Sequence, residues 1–213
     1  MALDNYTNLK TAIGNWMARS DLTAEYDDFI DLAESLFRRP PEPLTSKTLG
    51  GIRANKSSDT GNLSGVTLAL PSDYMELHSF DFTSDFRSPE FVSVDELKAR
   101  KRTGTGQPCY FTINGANIEF DVTPDSTYAY AVEYWADFPA LSGSVDDNWV
   151  LLNYPDCYLA GCLHYASLFV MDDARASFWA NKYKGAAHGA NEGYRRGQYT
   201  RGPINTVVGH RTP

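Results

Sequence analysis

An α+β fold is predicted for this chain by the way its apolar period changes along its length. Both ends repeat apolar residues at the 3.6-residue period of a helix, and the middle alternates with a period near two, as a half-buried strand does. A run rich in Pro, Gly and Ser from Pro40 to Gly65 separates the first helical part from the strands. The 213 residues suffice for one large domain, or for one domain with an appendage. With 42% hydrophobic and 22% charged residues the composition excludes a disordered, collagen-like or disulfide-scaffold chain.

Tyr6, Leu9, Ile13, Trp16 and Met17 form one apolar stripe, which predicts a helix starting near Asn5 or Thr7. Leu22, Tyr26, Phe29, Ile30, Ala33 and Phe37 predict a second helix, with Glu25, Asp27, Asp28, Asp31 and Glu34 on its outer face. Arg38 and Arg39 suit a helix C-terminus, and Pro40, Pro41 and Pro43 end it. The stretch from Pro40 to Gly65 is too long for a mere connection, so it is expected to be a functional arm or a disordered loop.

The strands are expected at Val66–Leu70, Tyr74–Phe82, Cys109–Ile113, Ala116–Phe120 and Thr127–Trp135. Asn114-Gly115 predicts a two-residue type I′ hairpin turn, which places Cys109, Phe111, Ile113, Ala116, Ile118 and Phe120 on one core face. In the last strand Tyr128, Tyr130, Val132 and Tyr134 share a face.

Helix returns near Asn148 or Asn153, with Pro155 in a first turn and Leu159, Cys162, Leu163, Ala166, Phe169 and Val170 as its apolar face. Asp172-Asp173 interrupts or recaps it, and a further helix anchored by Phe178, Trp179 and Tyr183 is expected to fade into Gly185, Gly189 and Gly193. The organisation expected is a helical bundle of residues 1–39 and 148–194, a long loop or arm at 40–65, an antiparallel β lobe at 66–147 in the form of a sandwich or small barrel, and an extended tail at 195–213.

A net charge of −8 argues against a chain held on nucleic acid by phosphate neutralisation. The charge is uneven, because residues 181–213 carry Lys182, Lys184, Arg195, Arg196, Arg201 and Arg211 against Glu192 alone. The N-terminus shows no secretory pattern, and the most apolar stretch, Tyr158 to Met171, is too short for a membrane span. Three cysteines without a CxxC pair read as free thiols.

The motifs HExxH, GxSxG, GxGxxG and the P-loop are absent from the sequence. His78 and His164 sit among strand and helix residues without ligand-spaced partners, so no metal or cofactor is expected. Glu133, Asp137 and Asp146 could supply the paired carboxylates of a glycosidase. Tyr128 and Trp135 could instead belong to a stacking platform for sugar.

Across nearly its whole length the chain also carries an ordered set of short motifs. They are Asn5-Tyr6-Thr7-Asn8-Leu9-Lys10, Arg19-Ser20-Asp21-Leu22, Phe29-Ile30-Asp31-Leu32-Ala33-Glu34 and Leu70-Pro71-Ser72-Asp73-Tyr74-Met75-Glu76-Leu77. They continue with the Pro108–Phe120 hairpin, Tyr134-Trp135, Phe138-Pro139-Ala140-Leu141-Ser142, Asn148-Trp149-Val150-Leu151, Tyr154-Pro155-Asp156-Cys157-Tyr158-Leu159 and Asp172-Asp173 with Trp179. In order and spacing they resemble the head-to-tail adaptor, or head-completion, proteins of short-tailed bacteriophages. Pro40–Gly65 departs from that pattern by its Pro, Gly and Ser content.

The resemblance implies a structural virion protein rather than an enzyme. It implies a dodecameric ring bound below the portal protein after DNA packaging, which extends the DNA channel and offers a platform to a tail tube or nozzle protein and to tail fibres. DNA would pass through without sequence-specific binding, and no membrane is involved. The protein would be made in the host cytoplasm and act in the virion at the head–tail interface. The family's C-terminal segment reaches the portal, which would give Arg195, Arg196, Tyr199, Arg201, Val207 and Val208 a portal-binding role. An acidic body suits a channel that repels DNA, with Asp27, Asp28, Asp31 and Glu34 as candidate lining residues. The alternatives are a tail-associated peptidoglycan-cleaving glycosidase and a sugar-binding β-module.

Overall fold

A computed structural model describes residues 3–40, 49–53, 55–83 and 87–199, with residues 198 and 199 as backbone only. The order of elements is α1 (Tyr6–Met17), α2 (Tyr26–Phe37), β1 (Lys56–Leu63), β2 (Thr67–Ala69), β3 (Tyr74–Phe82), β4 (Glu90–Phe91), α3 (Val94–Arg100), β5 (Tyr110–Asn114), β6 (Asn117–Phe120), β7 (Tyr128–Ala136), α4 (Trp149–Asn153), α5 (Pro155–Phe169) and α6 (Asp173–Tyr199). The fold is α+β. The chain divides into two compact units, one made of Met1–Ala54 with Pro139–Pro213 and one of Asn55–Phe138.

The first unit is helical, and α5 is its centre, packed against α1, α2, α4 and α6. Its sequence is apolar nearly all round, as a helix surrounded by others must be, and Cys157, Tyr158, Leu159, Cys162, Leu163 and Ala166 are buried. Gly161 is where α2 comes closest: a Cβ there would lie 3.1 Å from the Cβ of Ala33. Asn5 caps α1 by accepting the Asn8 N–H at 2.8 Å, and Asn148 caps α4 by accepting the Leu151 N–H at 3.0 Å. Asn153 is not a cap; Pro155 opens α5 directly after Tyr154. Asp172 recaps the chain into α6, its side chain accepting the Arg175 N–H at 3.0 Å.

Two expected boundaries move. The last helix does not fade at its glycines but runs through Gly185, Gly189 and Gly193 to Tyr199, so residues 195–199 are helical and not part of an extended tail. Tyr183, Ala187 and Ala190 are buried along its inner face, and that packing outweighs the roughly 1 kcal/mol that each glycine costs relative to alanine. The stretch 40–65 is likewise not all loop, because Lys56–Leu63 is strand β1. Residues 49–53 are fastened within the helical unit. Ile52 is buried and donates its N–H to Phe37 O at 3.0 Å, and Tyr183 donates its hydroxyl to Gly50 O at 2.7 Å. Asn191 accepts the Arg53 N–H at 2.7 Å and donates to Gly51 O at 3.1 Å. Gly51 is required there, since a Cβ would fall 2.2 Å from the carbonyl oxygens of both Phe37 and Arg39.

The second unit holds two sheets, one ordered β1-β7-β3 and the other β2-β6-β5-β4, with β4 and β5 parallel and every other pair antiparallel. In the hairpin Asn114 pairs with Asn117, so the two-residue loop is Gly115-Ala116 and not Asn114-Gly115. Gly115 has φ 60° and Ala116 has no positive φ, which matches a type II′ turn in place of the expected I′. The shift is two residues in total, so Phe111, Ile118 and Phe120 still face the core. On β7 the predicted alternation holds, with Tyr130, Val132 and Tyr134 buried.

The core between the sheets is aromatic. Phe80 lies at its centre, 5.5 Å from Phe82, 5.2 Å from Phe111, 5.5 Å from Phe120 and 5.8 Å from Tyr130, measured between ring centroids. Asp121 is fully buried on the flank, where it accepts the N–H groups of Cys109 and Tyr110 and pairs with Arg102 at 2.8 Å. Helix α3 was not anticipated, although Ser93 and Glu96 have the spacing of a capping box and Ser93 Oγ accepts the Glu96 N–H at 3.3 Å.

Phe80→Ala removes the ring that four others share and should lower stability by about 3–5 kcal/mol in denaturant unfolding. Gly51→Val forces the 49–53 segment off the carbonyls beneath it. It should destabilise the helical unit while leaving the aromatic signal of the sheet unit unchanged, measured by near-UV circular dichroism.

Candidate functional site

Among the carboxylates of the glycosidase reading, Glu133 is held by Lys56, with His78 Nε2 at 3.9 Å and Ser79 Oγ at 3.5 Å. The Lys56 ammonium keeps the Glu133 carboxyl below its ordinary range. A general acid needs the opposite shift. Asp137 accepts the N–H of Phe138 at 2.8 Å, and Asp146 belongs to the helical unit, where its backbone carbonyl accepts the Tyr6 N–H at 2.7 Å. On β7, Tyr130 and Tyr134 are core residues that send their hydroxyls to Asp59 at 3.2 Å and Asp73 at 2.9 Å, whereas the two platform candidates are half-buried: Tyr128 packs against the core and donates its hydroxyl to Asp125 at 2.7 Å, and Trp135 meets the His78 ring at 6.0 Å. Among the described residues no three His, Cys, Asp or Glu side chains come together as a metal site. No helix of the described residues is long and apolar enough to cross a membrane. Cys157 and Cys162 are buried free thiols, with burial raising the pKa of both, and Cys109 is exposed.

The four acidic candidates of α2 separate. Asp28 and Asp31 are exposed. Asp27 is exposed but engaged, accepting the Tyr6 hydroxyl at 2.5 Å and pairing with Lys10 at 2.6 Å, and these partners hold its carboxyl below the ordinary value. Glu34 does not lie on the outer face at all. It is 1% exposed and accepts the Leu141 N–H at 2.8 Å and the Tyr158 hydroxyl at 2.9 Å. The reason is geometric: at about 100° per residue Glu34 falls about 40° from Ile30 and about 60° from Phe37, inside the apolar arc. Tyr158 in turn accepts from Asn148 at 2.7 Å, and Arg38 stands 3.8 Å from the second Glu34 oxygen.

Of the basic candidates, Arg195 and Arg196 are exposed on the last turns of α6, where positive charge complements the helix dipole. Arg195 pairs with Glu192 at 2.8 Å. The backbone of Tyr199 ends the helix. Arg201, Val207 and Val208 lie outside the described residues.

Sequence reasoning did not single out the apolar end of the helical unit. Trp16 and Phe178 are about half exposed, as is Phe169, and Met171 is 89% exposed. Trp16 meets Trp179 edge to face at 5.4 Å, Phe178 meets Trp179 at 5.1 Å, and Phe169 meets Phe29 at 5.6 Å. Four large apolar side chains are thus exposed where α1 and α5 end and α6 begins. A second feature of the same unit is an open groove of about 520 Å³, lined by Tyr6, Thr7, Lys10, Thr11, Thr23 and Tyr26 along one side of α1. Groups placed in this way support recognition of another macromolecule more readily than acid–base chemistry.

The family model described as SU10 adaptor protein matches residues 4–206 of the chain. No curated protein matches it.

Burial, the largest influence on Glu34, raises its pKa above the ordinary 4.5 and so favours the protonated form in the folded state. The stability it contributes is therefore complete below pH 4.5 and is lost as pH rises through the folded-state value. Glu34→Gln keeps an acceptor for Leu141 and Tyr158 but does not titrate. In urea unfolding between pH 4 and 8 the difference between variant and wild type should move in favour of Gln as pH rises, and a constant difference would refute the assignment. Glu34→Ala leaves two buried donors without their acceptor and should cost about 2–4 kcal/mol at pH 4, with the cost shrinking as pH rises because the wild type loses stability there.

Proposed function

Since the chain belongs to the SU10 adaptor protein family, we propose that it is a head-to-tail adaptor of a bacteriophage virion, assembling as a ring below the portal and serving as the platform for the tail. The observation that carries this reading is the extent of the family match, which takes in both the helical and the sheet unit. The exposed apolar end of the helical unit supports it, because a protein that works by joining others needs surface that is unsatisfied in the lone chain. A ring of twelve copies remains the expectation.

Portal contact is assigned to the C-terminal region. Arg195 and Arg196 stand exposed on α6 and lead into the segment with Arg201, Val207 and Val208, whose mixed basic and apolar side chains suit a peptide that docks in a groove of another protein. In the channel role, Asp28 and Asp31 are the carboxylates of α2 available to repel DNA, since Glu34 is enclosed and Asp27 is paired.

The test is mass by native mass spectrometry, for the protein alone and with portal particles of its own phage. A chain near 23.7 kDa that forms a ring on the portal is the expected result, and one that ignores portal at every concentration would overturn the adaptor reading. A chain ending at Tyr199 should stay folded, with an unchanged far-UV spectrum, and lose portal binding by at least about tenfold. Binding equal to wild type would remove the C-terminal latch while leaving the ring intact.

A further inference from the structure

The Asn114-Gly115 pair at the hairpin tip carries a chemistry that neither the turn nor the adaptor role uses. Of the asparagines in the chain, Asn114 alone precedes a glycine. Each of the others is followed by a residue whose side chain crowds its own backbone nitrogen. Glycine has no Cβ, so its nitrogen is open and the chain bends freely toward the asparagine side chain. A nucleophile, the Gly115 nitrogen, thus adjoins an electrophile, the Asn114 amide carbon.

The fold leaves this pair uncovered. Residues 114–117 are all exposed at the end of the β5–β6 hairpin. Gly115 takes φ 60°, and a Cβ there would meet nothing within 4 Å, so no neighbouring group shields that side of it. Its N–H donates to no backbone carbonyl among the described residues. One bond restrains the Asn114 side chain, Nδ2 donating to Glu119 Oε1 at 3.0 Å. That bond is exposed as well, and at a hairpin tip it gives way to water at little cost. The inner hairpin differs, since Phe111, Ile118 and Phe120 are buried in the aromatic core and hold the strands together when the tip opens.

We infer that Asn114 is a self-modification site, at which the folded chain converts its own amide to aspartate and isoaspartate with water as the only co-reactant. The Gly115 nitrogen attacks Cγ of Asn114 and a new C–N bond closes a cyclic succinimide. The bond from Cγ to Nδ2 breaks, and the departing amide group leaves as ammonia with the proton that Gly115 N gives up. Water then opens the ring at one of its two carbonyls. Attack at the side-chain carbonyl yields aspartate, and attack at the backbone carbonyl yields isoaspartate, in which the main chain runs through the side-chain carbon.

Both products loosen the tip. Aspartate at 114 has lost the Nδ2 donor and sets a second carboxylate beside Glu119, and like charges on facing strands repel. Isoaspartate adds one carbon to the backbone of β5 at its last residue, which breaks the match between Asn114 and Asn117. The turn also anchors β2, because Leu70 N–H bonds Ala116 O at 2.9 Å and Ala69 pairs with Asn117. The change is therefore passed to the edge strand of the four-stranded sheet. The reaction needs only the lone chain, so it stands or falls apart from the adaptor reading.

The test is to age the full-length folded protein in warm, mildly alkaline buffer beside the same chain unfolded in urea. Chymotryptic peptides spanning Thr112–Phe120 are then sequenced by mass spectrometry, and isoaspartate is labelled with protein isoaspartyl methyltransferase. Asn114 should convert ahead of Asn117 in the same peptide. Its rate in the folded chain should lie within about tenfold of that in urea, because a hairpin tip opens at little cost. Conversion in urea with none in the folded chain would overturn the assignment. Asn114→Gln keeps an amide but closes the corresponding larger ring far less readily, and it should lose the isoaspartyl label in this peptide; a label equal to wild type would place the reaction elsewhere. Converted wild type should melt about 2–4 °C below fresh protein, while equally aged Asn114→Gln keeps its Tm. Full conversion with an unchanged Tm would overturn the loosening of the tip.

Discussion

The helical unit depends on joining two stretches of chain that the sheet unit separates. Residues 1–54 supply α1 and α2, and residues 139–213 supply α4 to α6, with the 84 residues of the sheet unit between them. Apolar packing brings α2 onto α5, but packing alone does not fix where the returning chain lies. Glu34 does. Its one carboxylate accepts the backbone N–H of Leu141, just after the chain re-enters, and the hydroxyl of Tyr158 on the central helix. Asn148 extends the network by donating to both Tyr158 and the carbonyl of Pro139 while capping α4. A buried carboxylate is costly unless its lone pairs are satisfied, and its strict demand for donors makes one docking of the returning chain far better than its neighbours. Asn191 makes a second such join by bonding both ends of its amide to the backbone around Gly51 and Arg53.

How much of this was legible in the sequence follows the range of each interaction. Caps and periods act within a few residues, and Asn5, Asn148, Asp172 and the alternation of β7 stand where pattern places them. The hairpin was located, but its turn was set by a choice between two adjacent loops that both contain Gly115, which cross-strand pairing decides. Strand β1 was missed because Lys-Ser-Ser-Asp-Thr-Gly-Asn-Leu has little β character of its own. It is held by its full-length pairing with β7 and by Tyr130, whose ring lies against Gly61. Glu34 was legible in the angular arithmetic of the helix, since its place among apolar residues was open to calculation. A charged residue in a row of acids drew the eye to the wrong face. The fastening of residues 49–53 was not legible at all, since Asn191 lies about 140 residues along the chain from the carbonyl it bonds.

The candidate surfaces divide in the same way. The acids of α2 and the arginines of α6 are visible as composition, but composition does not tell an enclosed carboxylate from an exposed one, nor a paired Asp27 from a free one. The apolar end was invisible for a different reason. Trp16, Phe169 and Phe178 keep the helical period and so read as core, and only the tertiary arrangement, in which three helix ends stop short of covering them, leaves them exposed.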